Sequence, residues 1–235
     1  MSEHEEVSAS EIPDIDAELQ INGAQRSPCV LLLDTSTSMK NFGRIDSLNA
    51  ALKQFEQKIK TDETISQQVL LNVISFGGKV CAGDDWVSAA SFKAPVLEAD
   101  GMTPMGEAMT VALAAVEDIR GKLRAEGIPY TKPWIFLVSD GAPNDQGWQQ
   151  AAAESRAQAE ARKVVVWPIA VPPEADAAAL QLFAARNMNV YAIDESDFHE
   201  FFSWLFTSLG AVSRSRSGAG DLQLRAPGPV VSVPL

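Results

Sequence analysis

Histidine and cysteine are scarce in this sequence, two of each among 235 residues. His4 stands in an acidic N-terminal stretch and His199 in the last helical segment, which leaves a histidine-dependent catalytic triad without material. Cys29 and Cys81 fall in apolar or strand-like segments with no CxxC partner, so they read as buried free thiols and not as a disulfide or a metal pair. Long apolar runs are also missing: nothing approaches the roughly 18 residues of a membrane span. The opening MSEHEEVSASEIPDIDAELQ has neither the basic start nor the apolar stretch of a signal peptide, and the expectation is a cytoplasmic protein with no membrane contact. Positive charge is in short supply, 19 Lys+Arg against 31 Asp+Glu, and a net charge of −12 disfavours nucleic acid and anionic membranes as partners. Neither GxGxxG nor GxxxxGK[ST] occurs, which weighs against a nucleotide-binding oxidoreductase, and there is no internal repeat.

What is present is enough apolar sequence, 46%, for one substantial core. Residues 1–27 carry seven acids against Arg26 and read as an acidic flexible leader. Residues 28–212 read as one α/β domain. Residues 213–235, with SRSRSGAG and then APGPVVSVP, read as a flexible C-terminal tail. Within the domain, Cys29–Leu33, Val69–Phe76, Trp134–Ser139, Val164–Trp167 and Asn189–Ile193 are strand candidates, and Gly77-Gly78 turns the chain back into a short antiparallel edge strand between Lys79 and Phe92. Helical spacing predicts helices over about 45–60, 106–125, 149–163, 174–186 and 197–212. Strands alternating with helices in this way imply a mostly parallel six-stranded sheet of Rossmann-like type, with one antiparallel edge strand and helices on both faces.

Two of the buried-type strands run straight into carboxylates. Cys29-Val-Leu-Leu-Leu33 ends in Asp34, followed by hydroxyls at Ser36 and Ser38, and Trp134–Ser139 ends in Asp140. Thr103 lies in a third loop, ADGMTPMG, that feeds the helix over 106–125. All three loops belong at the carboxyl edge of one sheet, where open α/β folds bind ligands. Five hard oxygen donors without imidazole or thiolate suit Mg²⁺ or Mn²⁺, with Ca²⁺ also possible, and argue against zinc or copper. Neutral hydroxyl ligands leave such an ion with residual positive charge for an acidic ligand from outside.

Asp34-Thr35-Ser36-Thr37-Ser38 resembles the DxSxS signature of von Willebrand factor A-type (vWA) domains, with Thr103 and Asp140 matching the threonine and aspartate of the family's metal-ion-dependent adhesion site (MIDAS). KPWIFLVSDGAPNDQGW (Lys132 to Trp148), the FGGKV after the second strand and the terminal VSRSRSG are similar to the bacterial intracellular TerY/YegL-like branch. The resemblance covers about residues 28–217. It departs at Ser139, where threonine is common, and at Thr37, which replaces the usual glycine. It implies a vWA fold, a divalent metal on Asp34, Ser36, Ser38, Thr103 and Asp140, and a protein partner supplying an Asp or Glu. It further implies kinase- or phosphatase-like partners in a bacterial stress or tellurite-resistance system.

Plainer readings stand beside this one. Ser36 and Ser38 are also ordinary cap and turn residues. Asp100, Glu107 and Asp145 read as solvated loop acids, the phenylalanines of the last helix as core, and Trp148 as a residue that borders the site. Three functions follow: a metal-dependent protein-interaction module that is not an enzyme, a Mg²⁺-dependent phosphoryl-transfer enzyme, or a structural interaction domain with an empty site. Against the enzyme, Ser36 occupies the position two after Asp34 where a second acid would be wanted. The leader adds one more expectation, that Asp14, Asp16 or Glu18 could ligate the ion in cis.

Overall fold

A computed structural model describes residues 15, 19, 23–83, 86–215, 221–225 and 230–234. Nine strands are described: β1 (Ser27–Asp34), β2 (Val69–Gly77), β3 (Lys79–Ala82), β4 (Val87–Ser88), β5 (Trp134–Ser139), β6 (Val165–Ala170), β7 (Tyr191–Ala192), β8 (Asp221–Arg225) and β9 (Val230–Pro234). The α-helices are α1 (Arg44–Ile59), α2 (Glu63–Gln68), α3 (Met105–Ala125), α4 (Trp148–Glu160), α5 (Ala177–Phe183) and α6 (Phe198–Arg214). The main sheet has the order β3-β2-β1-β5-β6-β7, parallel from β2 to β7. Its antiparallel edge is split into β3 and β4, both paired with β2, so the sheet has seven strands where six were expected.

The central strand β1 is buried along its whole length because its two faces serve two cores. Cys29, Leu31 and Leu33 face α1, α2 and α6, where they meet Leu48, Phe55, Ile65 and Phe201. Val30 and Leu32 face α3 and share a core with its Met109 and Val116 and with Leu180 of α5. A strand covered on both sides has no polar face to show, which is why it reads as an unbroken apolar run. The expected inner face of α3 (Met109, Ala112, Leu113, Val116, Ile119, Leu123) is buried in full. Phe198, Phe201, Phe202, Leu205 and Leu209 of α6 are buried as expected, but Phe206, also expected in the core, is only half-buried, with Lys58 Nζ 4.8 Å from its ring centroid. Phe136 stacks on Trp167 with ring centroids 5.7 Å apart, and Trp134 meets both edge-on in the same core.

Cys29 is a buried free thiol as expected, but Cys81 is exposed. It lies on edge strand β3, which is exposed at three of its four residues, so an apolar-looking local sequence does not mean burial there. Helix α2 has no counterpart among the expected elements, and the turn at Asn41–Gly43 is the end of a 3₁₀ segment over Thr37–Gly43. The leader lies largely outside the described residues, Asp14, Asp16 and Glu18 among them, but Ile15 and Leu19 are helical and buried in the core on the α3 side. In the segment expected to be a flexible tail, α6 continues to Arg214, β8 and β9 pair antiparallel as a separate ribbon, and Leu224 is buried. Among the described residues no helix is long and apolar enough to cross a membrane.

Candidate metal centre

The chain passes from β1 out to β2 on one side and later returns through β5 on the other, so the carboxyl ends of β1 and β5 form a topological switch point. Crevices of this kind are where open α/β sheets hold ligands. Leu33 is in register with Val138, and Asp34 and Asp140 follow within two residues.

Asp34 is fully buried, and both its carboxylate oxygens are engaged. Oδ1 accepts from the Ser36 backbone N–H at 2.7 Å, and Oδ2 accepts from Ser139 Oγ at 2.5 Å. Burial pushes its carboxyl up to about 6, against the hydrogen bonds from Ser139 and Ser36, with the charge of Asp140 adding to the rise. A carboxylate this dry calls for a neighbouring cation. Ser139 fixes Asp34 through its hydrogen bond to Oδ2.

Ser38 links the two loops: its Oγ donates to Asp140 Oδ1 at 2.7 Å and lies 3.0 Å from Ser36 Oγ. Thr103 is buried, its N–H bound to Asn144 Oδ1 at 3.0 Å, and its Oγ1 would lie 3.5 Å from a side chain added at Gly141. Asp34, Ser36, Ser38 and Asp140 are thus joined by direct contacts or adjacency. Thr103, in the third loop, is placed near Asp140 only through that approach of its Oγ1 to Gly141.

Sharp backbone approaches hold these loops together. Thr35 N–H donates to Phe76 O, Asp100 N–H to Thr35 O, and both Thr37 N–H and Thr37 Oγ1 donate to Gly101 O. A Cβ at Gly77 would come within 2.0 Å of Thr35 O, so that glycine is required for the approach. Thr37 carries no strain from replacing a glycine, since positive φ among non-glycine residues falls at Phe42 and Arg162.

Three contributors to the site escaped the sequence reading. Arg44, at the start of α1, is completely buried; its Nη1 donates to Asp140 Oδ2 at 2.6 Å and its Nη2 to Pro172 O and to Glu174. A cation in the first turn opposes the helix dipole, and that anomaly was the available signal. Asn144 fixes Thr103. Asp145, expected to be a solvated acid, instead accepts from the backbone N–H groups of Gly106 and Glu107 and so caps α3 from another loop. Trp148 is half-buried and stacks on Phe183, beneath the Asp145 loop. Asp100 and Glu107 are exposed.

The donor set fits a small hard cation. Oxygen–oxygen spacings of 2.7 and 3.0 Å are close to the edges of an oxygen octahedron, about 2.9 Å for metal–oxygen bonds of about 2.0–2.1 Å. Among the described residues no cluster of three or more His, Cys, Asp or Glu could hold a metal, so any ion here depends on the hydroxyls. A groove of about 1060 Å³ runs along the β2–β3–β4 edge beside Leu71, Val73, Val87, Phe92 and Cys81 and reaches Thr35, Gly77 and Asp100 next to the site, although the five candidate ligands do not line it.

No protein-family model matches this sequence, and no curated protein matches it either. Solved structures do. A von Willebrand factor type A protein from Catenulispora acidiphila superposes with a TM-score of 0.60 at 16% identity, over 80% of this chain and 43% of that one. The vWF domain of the type V pilus tip protein Mfa5 from Porphyromonas gingivalis gives 0.62 at 12% identity, over 82% of this chain and 98% of that one. Proximal thread matrix protein 1 from the mussel byssus gives 0.59 at 14% identity, over 80% of this chain and 47% of that one, and has also been solved with zinc in its MIDAS motif. This chain spans about half the length of the mussel protein. At these identities the likeness shows the fold, which is of the vWA type.

Proposed function

We propose that this vWA-type fold serves a divalent-cation-dependent protein-interaction module. Asp34, Ser36, Ser38, Thr103 and Asp140 hold Mg²⁺ or Mn²⁺, and the ion captures an Asp or Glu of a protein partner. The observation that carries this reading is the position of Ser38 Oγ, in reach of both Ser36 Oγ and Asp140 Oδ1 and beside a buried Asp34. The bound ion supplies a Lewis-acidic coordination position for an external carboxylate. The protein's part is to present neutral hydroxyls alongside two carboxylates and to spend half of Asp140 on Arg44. The local negative charge is thereby too small to satisfy a dication fully.

The reading is of a binding module and not an enzyme. Ser38, Asp34 and Asp140 are committed to one another's loops and to Ser139 and Arg44, which argues against their serving as a nucleophile or base. The motif resemblance supports a TerY/YegL-like, cytoplasmic role beside kinase- or phosphatase-like proteins in a stress or tellurite-resistance system. Calorimetric titration of Mg²⁺ and Mn²⁺ into wild type, Asp34→Ala and Asp140→Ala tests the site: binding by wild type that both variants lose is expected, and equal affinity in all three would overturn it.

A further inference from the structure

Four large apolar side chains are exposed among the described residues, and two of them touch residues that hold candidate ligands: Phe42 at 67% and Met102 at 62% exposure. Phe42 lies on the Asp140 side, where the Arg44 guanidinium that binds Asp140 also sits over its ring, 5.1 Å from the centroid. Met102 lies on the Thr103 side, where its carbonyl accepts from Gly78 N–H and its sulfur is 3.9 Å from Asn144 Nδ2, the same residue that fixes Thr103. Each apolar group is therefore held by a residue that also holds a candidate ligand.

Phe42 is also strained. Its φ of 55° and ψ of 14° put a bulky side chain in the left-handed region, and no packing requirement explains it, since the ring projects into solvent. A strained, exposed aromatic fixed by a cation–π contact beside a ligand site is a pre-formed contact surface, because its ordering cost is met before any partner arrives.

Resting on the carboxylate-capture reading above, we propose that the rim selects the partner: a protein loop or segment whose acidic residue is flanked by apolar side chains, which seat against Phe42 and Met102 as the acid reaches the ion. The two contacts divide the work. The ion requires a carboxylate and the rim discriminates among carboxylates by their neighbours, as an apolar anchor beside a charged one does at protein interfaces.

Defined peptides test this with Mg²⁺ or Mn²⁺ present and again with chelator. The probes are blocked Gly-Leu-Asp-Leu-Gly, Gly-Gly-Asp-Gly-Gly and Gly-Leu-Asn-Leu-Gly, titrated by NMR into wild type, Phe42→Asn, Met102→Ser and the double variant. Asparagine tolerates a positive φ, so Phe42→Asn keeps the loop folded. Wild type should bind the Leu-Asp-Leu peptide at least tenfold tighter than the Gly-Asp-Gly peptide, and the Leu-Asn-Leu peptide weakly. The double variant should lose that preference and keep both its Mg²⁺ affinity and its affinity for Gly-Asp-Gly. Ion-dependent binding that is equal for both acidic peptides overturns the rim proposal and leaves carboxylate capture standing. Binding of acidic peptides that ignores the chelator, or no binding of them, overturns both.

Discussion

Arg44 Nη1 lies 2.6 Å from Asp140 Oδ2 with both side chains completely buried, so a guanidinium neutralises half of one candidate metal ligand. The other oxygen of Asp140 belongs to Ser38, and Nη2 of the same arginine holds Glu174 and Pro172 O. Removing one side of a buried pair leaves the other charge uncompensated, at a cost of about 3–5 kcal/mol. For a chain of this size that is about 6–20 °C in melting temperature. Arg44→Gln should therefore melt well below wild type by calorimetry. Saturating Mg²⁺ should raise the variant's melting point more than it raises that of wild type, because the dication takes over the lost neutralisation. A variant that melts within a degree or two of wild type would show that the pair contributes nothing.

Ser38→Ala separates ion binding from stability. The hydroxyl is half-exposed and makes two contacts, so its loss should cost about 1 kcal/mol of folding. It removes a ligand and also the group that orients Asp140 Oδ1, so Mg²⁺ affinity should fall by about 10–100-fold, the scale of losing a group that positions a metal site. Parallel urea melts and ion titrations give the two numbers. Unchanged ion affinity would remove Ser38 from the ligand set.

How much of this was legible beforehand depends on what each residue faces. Strands β1 and β5 and helix α3 were read nearly to the residue because burial on two faces, or on one long stripe, leaves an unmistakable apolar pattern. Helix α2 was missed because six residues with a single buried position, Ile65, carry no periodicity; its one signal was the cap, where Asp62 accepts from Ile65 N–H. The predicted helix over 174–186 shrinks to Ala177–Phe183 because Asp176 caps it at Ala179 N–H. That Asp34, Ser36, Ser38 and Asp140 would come together was legible because two apolar strands each run straight into a carboxylate at one sheet edge. Arg44 was not, because its role comes from the fold bringing residues 44, 140 and 174 together, and spacing along the chain says nothing about that.

Gly101 should be intolerant in a way that another glycine is not. Its φ is +70°, and a Cβ there would fall 2.3 Å from Gly78 Cα, backbone that cannot swing aside. Its carbonyl also takes both hydrogen bonds from Thr37, between Ser36 and Ser38. Gly101→Ala should cost about 1–3 kcal/mol from backbone strain alone and abolish ion binding as the DxSxS loop shifts. Gly121 lies within α3 with nothing within 4 Å of an added Cβ. Gly121→Ala should therefore stabilise by about 0.5–1 kcal/mol and leave ion binding alone. If both variants bind Mg²⁺ alike, the loop contacts at Gly101 are not what shapes the site.

Acid should destabilise the fold through Glu56, in the last turn of α1. Burial alone would push its carboxyl up, but Lys53 Nζ at 2.7 Å, Lys60 Nζ at 3.0 Å and the Ala94 N–H at 3.2 Å outweigh burial and hold it at about 2. A carboxyl held below its unfolded value binds its proton more weakly in the native state. Its contribution is complete above the unfolded value of 4.5 and is lost as pH falls towards 2. Both lysines are partly in solvent, which screens the pairs, so the contribution is set at about 1–2 kcal/mol. Glu56→Gln should lose that much at pH 7 and show a flatter fall in stability between pH 5 and 2 than wild type. Denaturant melts across that range measure both slopes. If the two curves run parallel, the Ala94 and lysine contacts do not favour the ionised form, and the acid sensitivity of the fold has to come from another carboxylate.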